Sequence, residues 1–140
     1  MVIVDTSAWV EFFRRDGNPS VKLAVKGLLD AYQCALCGPV EMEFLGGARP
    51  NESERIRHWF DIIPYARHDH KIWRLAGGNY ARLKAAGFTV PWNDILIATL
   101  AIEKDYSVYA HDKHFPIMQK HLGVLLYQPG YNGMFNAEFE

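Results

Sequence analysis

The chain has 140 residues, 49% of them apolar and 14% aromatic, enough to bury the core of one globular domain over 1–140. Lys and Arg total 15 against 16 Asp and Glu, a net charge of −1, so any nucleic-acid site must be a local patch rather than a property of the whole surface. No basic n-region leads into a long apolar run, and no stretch approaches the ~18 apolar residues of a membrane span, so a soluble, cytoplasmic protein without membrane contact is expected.

Val2-Ile3-Val4 reads as a short strand buried on both faces. It runs directly into Asp5, whose carboxylate needs a partner in such a place. Thr6 or Ser7 caps a helix with Trp9, Val10, Phe12 and Phe13 on one face, ended by Asp16-Gly17. Asn18 as cap and Pro19 at the first helical position start the next helix, where Val21, Ala24, Val25, Leu28, Leu29 and Tyr32 keep helical spacing. CALCGPV reads as a strand. A structural zinc needs four ligands, so Cys34 and Cys37 are expected to be buried, reduced thiols without chemistry.

Gly38-Pro39 opens a short helix over VEMEFLGG, and Asn51 with Glu54 makes a capping box for a helix with Ile56, Trp59, Phe60 and Ile63 on its inner face. Asp69 caps a helix running to about Ala86, before Gly87. Asn93 caps the apolar helix DILIATLAIEK, SVYA is a strand, Phe115 to His121 is helical up to Gly123, and VLLY is a last strand. The tail over 128–140 has Gly, Pro and aromatic residues without a period, and is expected to be loose or docked on a neighbour. Strands alternating with helical crossovers predict an α/β fold, a three-layer α/β/α sandwich around a central parallel sheet.

Ligands of such sheets bind beyond the carboxyl ends of the strands, near the point where strand order reverses. Asp5 ends the first strand there, and Asp112 follows SVYA and His111. Asp94 lies in the first turn of its helix, where exposed N–H groups favour an anion. The helix after CALCG carries Glu41 and Glu43, about 200° apart on a 3.6-residue turn, so only one can face the same point; Gly46 and Gly47 clear room beside Glu43. Carboxylates from four segments repel one another and take up protons unless a cation balances them. Oxygen ligands with no flanking His or Cys set suit Mg²⁺ or Mn²⁺ rather than zinc. One or two such ions polarising a phosphodiester and activating a water would cut nucleic acid. Each residue also has a plainer reading: Asp5 as a helix cap, Asp94 as a cap or dipole partner, Asp112 as a turn residue, Glu41 as a solvated helix residue. The weight lies in their joint placement.

VIVDTSAWVEFF, GPVEMEFLGGAR, NDILIATLAIEKD and AHDKHF, in this order and at these separations, resemble a PIN domain, and in particular the VapC-type ribonuclease toxins of toxin–antitoxin pairs. The resemblance spans Val2 to about Tyr127. It implies a PIN fold and a Mg²⁺- or Mn²⁺-dependent endoribonuclease acting on RNA, usually a homodimer, held inactive by a small antitoxin protein encoded beside it. The family's four acidic positions fall on Asp5, Glu43, Asp94 and Asp112, Glu43 being preferred to Glu41 because it directly precedes Phe-Leu-Gly-Gly. The chain departs from the family at Ala110, where relatives often have Thr or Ser, and at His114, where an acid is usual. Asp112 is therefore the least secure of the four, with His111 or His114 left to supply a hydrogen bond in place of the missing hydroxyl.

Phosphates approaching such a pocket need nearby cations, and Arg14, Arg15, Arg49 and Lys113 lie just beyond the acidic segments. Trp9 and Trp92 flank Asp5 and Asp94 and can stack on a splayed base, although the helical spacing of Trp9 favours core packing. His68 and His70 are read as structural. The helices bearing Trp9, Phe12 and Phe13, then Val25, Leu28, Leu29 and Tyr32, offer more apolar surface than the sheet is expected to cover. With the resemblance, that implies a groove for an antitoxin's amphipathic segment, with a basic side chain reaching toward Asp5 and Asp94. Two rival readings stand beside this one. A receiver-like signalling module also gathers Mg²⁺-holding acids at strand ends, but it needs an acidic pair after the first strand and a Lys after the last. A PIN-type binding protein with weak catalysis is favoured only by Ala110.

Overall fold

Every residue of Val2–Val4 and of Cys34–Cys37 is buried, as apolar runs without polar alternation require when both faces of a sheet are covered. They are β1 and β2 of a computed structural model that describes residues 1–130. The remaining elements are α1 (Thr6–Phe13), α2 (Pro19–Asp30), α3 (Gly38–Gly47), α4 (Pro50–Asp61), β3 (Tyr65–Ala66), α5 (His70–Ala85), α6 (Trp92–Lys104), β4 (Ser107–Tyr109), α7 (His114–Leu122) and β5 (Leu125–Leu126). From residue 131 onward, the expectation for the tail lies outside the described residues.

The sheet is wholly parallel, with strand order β3-β2-β1-β4-β5. The chain winds outward from β1 through β2 to β3, then returns to place β4 on the other side of β1, so the order reverses between β1 and β4. Val4 lies opposite Tyr109 there, which brings the carboxyl ends of both strands to one place. Receiver-like sheets follow the order 2-1-3-4-5 instead, so the signalling reading falls on topology. Helix α6 packs against α3, α5, α7, β1 and β4 and buries Asp94, Ile95, Ile97, Ala98, Thr99, Leu100 and Ala101. That apolar length forces the helix into the centre of the fold, and its first turn carries Asp94 with it.

The structure corrects several local expectations. Asp5, not Thr6 or Ser7, is the N-cap of α1, and the helix stops at Phe13. Gly17 instead serves a close approach of the chain, since a Cβ there would stand 1.8 Å from the Glu11 carbonyl oxygen. No Asn51–Glu54 capping box forms, because Pro50 opens α4 and places Asn51 inside it. Asn93 likewise lies within α6, which starts at Trp92 after Pro91. Strand β3 has only two residues, too short to leave a period in the sequence.

The expected surplus of apolar surface on α1 and α2 is also corrected. Trp9, Val25 and Leu28 are buried, Phe12, Phe13 and Leu29 pack against the core, and only Tyr32, past the end of α2, is bare. Helix α4 covers the α1 aromatics: Trp9 meets Phe60 at 5.5 Å between ring centroids, and Phe12 meets Trp59 at 6.0 Å. Trp9 is thus a core residue. Val10 on α1 and Leu23 on α2 also remain exposed, but the larger group is elsewhere, with Met42, Tyr65, Trp73 and Trp92 around an open groove of about 820 Å³ next to Glu43 and Asn93. Cys34 and Cys37 are buried and unbridged, and burial pushes both thiols up to about 12, so neither is a nucleophile at neutral pH. No helix among the described residues is long and apolar enough to cross a membrane.

Candidate functional site

Four elements deliver acidic side chains to the carboxyl edge of the sheet at the β1/β4 reversal. Asp5 leaves β1, Asp94 rides on the first turn of α6, Asp112 follows β4, and Glu43 projects from α3. Asp5 and Asp94 are buried, Asp112 is half-buried and Glu43 is exposed. Asp94 feels the charges of Asp5, Asp112 and Glu43, and Asp5 those of Asp112 and Glu43, so the four carboxylates form one electrostatic cluster.

Asp5 keeps its capping role inside this cluster. Its Oδ2 accepts the Ser7 N–H at 3.1 Å and the Ser7 hydroxyl at 2.6 Å. The Ser7 oxygen in turn accepts the His111 backbone N–H at 2.9 Å, which ties the end of β1 to the segment leaving β4. Oδ1 of Asp5 is buried without a hydrogen-bond partner, and so is Oδ2 of Asp94. Burial pushes the Asp5 carboxyl above its ordinary value, with the Ser7 bonds opposing and the neighbouring carboxylates adding to it. Burial, then Asp5 and Asp112, raise Asp94 to about 8. In the cation-free protein it is therefore largely protonated at neutral pH.

Asp112 moves the other way. Burial would raise it, but His114, joined by a smaller contribution from a hydrogen bond with the Asp94 carboxyl, outweighs burial: the His114 backbone N–H donates to Oδ1 at 2.8 Å and its Nδ1 lies 2.8 Å from the same oxygen. An ionised Asp112 can only accept, so Nδ1 carries the hydrogen. The same nitrogen stands 3.4 Å from Oδ2 of Asp94. Of the two histidines expected to replace the hydroxyl missing at Ala110, His114 is the one that bonds Asp112, whereas His111 contributes its backbone to Ser7. The expectation of an oxygen-only cluster needs correction too, because Asp94, Asp112 and His114 bring two oxygens and a nitrogen within 4.8 Å of one another.

The two glutamates of α3 diverge as their spacing requires. Glu43 accepts the Asn93 amide at 2.7 Å and feels the acidic cluster, while Glu41 acts on Tyr65 at the β3 side. Gly46 and Gly47 leave open space beside them. Arg14 and Arg49 line a cleft of about 240 Å³ that also contains Glu43, though each already pairs with an acid, Arg14 with Glu11 and Asp16, Arg49 with Glu52. Arg15 and Lys113 are exposed. Trp92 is exposed beside Tyr80, and His68 bonds the Leu96 carbonyl oxygen at 2.9 Å, a structural role, while His70 opens α5.

Sequence reasoning did not assign Ser7 and Asn93 to the site. Ser7 stands two residues after a capping Asp, a spacing that signals its local bond but not its tie to His111. Asn93 had the composition of a cap, which hid its reach to an acid fifty positions away in sequence.

The model of the PIN domain family matches residues 2–120. Ribonuclease VapC11 of Mycobacterium tuberculosis is 36% identical over 125 residues, covering 86% of this chain and 92% of that protein. Among solved structures, VapBC2 from Rickettsia felis, bound to a DNA fragment from its promoter, superposes with a TM-score of 0.74 at 18% identity over 91% of this chain and 98% of that one. VapC20 of Mycobacterium tuberculosis, described as a sarcin-ricin loop cleaving toxin, has a TM-score of 0.68 at 16% identity, over 92% of this chain and 100% of that one. At these identities the two structures speak for the fold alone.

Proposed function

The chain belongs to the PIN-domain family, and on that premise we propose that it is a ribonuclease of the VapC kind, the toxin of a toxin–antitoxin pair that cleaves phosphodiester bonds in RNA. The observation that carries the catalytic reading is the pair of buried carboxylate oxygens without hydrogen-bond partners, Asp5 Oδ1 and Asp94 Oδ2, inside a cluster of like charges. A buried acceptor left unbonded is costly, and a divalent cation satisfies both it and the charge. Asp5, Asp94, Asp112 and Glu43 are the residues we assign to holding Mg²⁺ or Mn²⁺, which would supply a Lewis acid for the phosphate and a more acidic water.

The protein's own contribution is placement. Ser7 fixes the rotamer of Asp5, His114 fixes Asp112, and Asn93 draws Glu43 toward the first turn of α6. Arg14, Arg49 and Lys113 stand around this edge as contacts for RNA phosphates, and the accessible edge suits single-stranded stretches of structured RNA rather than a duplex. A protein antitoxin and a second copy of the chain complete the assembly. The groove ringed by Met42, Tyr65, Trp73 and Trp92 is the surface we assign to protein contact.

Purified protein should cleave a structured RNA in Mg²⁺ or Mn²⁺ and lose that activity in EDTA. Expressed alone in a bacterial host, the chain should arrest growth, Asp5→Asn should not, and co-expression of the protein encoded beside it should restore growth. Undiminished cleavage in EDTA would sink the metal-dependent reading, and harmless expression would sink the toxin.

A further inference from the structure

Among the described residues, His114 is the imidazole that joins the acidic cluster, and its geometry fits more than a hydrogen bond. Its Nδ1 lies 2.8 Å from Asp112 Oδ1 and 3.4 Å from Asp94 Oδ2. An octahedral cation with bonds of about 2.1 Å sets neighbouring ligand atoms about 3 Å apart, so the two separations bracket the edge such an ion would span. The side chain is neither exposed nor sealed, at 23% accessibility, while that of Asp94 is at 9%. The buried Asp94 oxygen facing this nitrogen has no hydrogen-bond partner, so the pocket already holds an acceptor that a bound ion would satisfy. With the imidazole hydrogen on Nε2, so that Nδ1 exchanges its bond to Asp112 for the ion, two carboxylates and a neutral imidazole balance a divalent charge. Since α7 starts at His114, with Phe115 and Met118 buried beneath it, the helix holds the ring's backbone in place rather than leaving it on a loose loop.

From this we infer that His114 is itself a ligand, joining Asp94 and Asp112 in a mixed nitrogen–oxygen site that shifts the preference from Mg²⁺ toward first-row transition dications. The chemical reason is donor type. Imidazole suits Fe²⁺, Ni²⁺, Cu²⁺ and Zn²⁺ best, whereas Mg²⁺ is served by carboxylate, carbonyl and water; Mn²⁺ shares those oxygen ligands but stands at the foot of the first-row order, so among first-row ions it gains least from the nitrogen and serves as the spectroscopic probe. The inference rests on the metal-dependent nuclease reading and adds the identity of a ligand and the preference it imposes.

The test uses tag-free full chain without RNA, so that it reads the metal and not turnover. Mn²⁺ bound to the wild type should show ¹⁴N coupling in pulsed electron paramagnetic resonance, and titration with competing Mg²⁺ should give its preference. His114→Asp keeps a ligand of similar reach but exchanges nitrogen for oxygen. It should abolish the ¹⁴N coupling and lower the Mn²⁺ to Mg²⁺ affinity ratio by about tenfold or more. His114→Gln, which adds no charge and retains a hydrogen-bond donor, should lose the coupling as well, and a thermal melt of each variant verifies folding. If wild-type protein binds Mn²⁺ without ¹⁴N coupling, or if the coupling survives both substitutions, His114 only positions Asp112 and the inference falls while the nuclease reading stands. If neither Mn²⁺ nor Mg²⁺ binds at all, both fall together.

Discussion

At its N-terminal end, α1 hangs from Asp5 in a cluster where buried oxygens lack partners and like charges face one another. A turn further on, the same helix puts Trp9, Phe12 and Phe13 into an aromatic cluster with Phe44, Trp59 and Phe60, where ring meets ring at centroid distances of 5.2 to 6.5 Å. Edge-to-face and stacked pairs of this kind each add about 0.5–1.5 kcal/mol beyond the burial of their area. The aromatic region therefore supplies stability, and the acidic region uses some of it. Substitutions in the two regions should accordingly differ in sign as well as in size: those among the aromatics lower stability and spare chemistry, and those among the acids do the reverse.

The largest effect is expected from Trp9→Ala. Emptying that fully buried site should cost about 3–5 kcal/mol and lower the melting temperature by about 10 °C or more, while activity per folded molecule is retained. Denaturant titration with single-turnover cleavage below the transition separates the two quantities. Asp94→Asn is its mirror image, with RNA cleavage down at least ~100-fold, about 2.7 kcal/mol at the transition state, and a melting temperature equal to or above the wild type's. A fall in stability alongside the rate would show that the carboxylate is structural and would erase the contrast.

Glu43→Gln should reduce cleavage on the order of tenfold and Glu41→Gln should leave it nearly unchanged, since only Glu43 shares the field of Asp5 and Asp94. The opposite ranking would move the working face of α3 toward Tyr65. A pH series sharpens the comparison further. In the cation-free protein Asp94 titrates near 8 when folded and near its ordinary 3.8 when unfolded. Between those values the folded chain binds more protons than the unfolded one, so this group's contribution to stability declines as pH rises. Melting temperature without divalent ions should therefore slope downward from pH 5 to 8, and Asp94→Asn or added Mn²⁺ should flatten that slope, whereas a slope insensitive to both would place the titration elsewhere. A smaller change is expected from Ser7→Ala, about 1 kcal/mol from losing the hydroxyl's bonds to Asp5 and the His111 N–H together with a modest rate loss, because the Asp5 cap on the residue-7 N–H stays but its orientation is no longer fixed.

The alternation of strands and helices, the burial of β1 and β2, the caps at Asn18 and Asp69, and the inert placement of Cys34 and Cys37 were all legible in the sequence, because each follows from local periodicity or from the chemistry of one residue. The convergence of Asp5, Asp94 and Asp112 on one edge was legible for a related reason: parallel α/β winding sends the carboxyl end of every strand to the same side. Tertiary structure alone decided the rest. Asn93 reads as a cap in isolation, and only the approach of α3 to α6 turns its amide toward Glu43. Ser7 reads as a helix-start residue, and only the β1–β4 pairing brings the His111 N–H to its oxygen. His114 could be suspected as a substitute for a missing hydroxyl, yet its contact with Asp94 depends on how α6 and α7 meet. Local pattern fixes which backbone a residue joins, but a side chain's partners from distant segments are set by packing, which a linear periodicity does not encode.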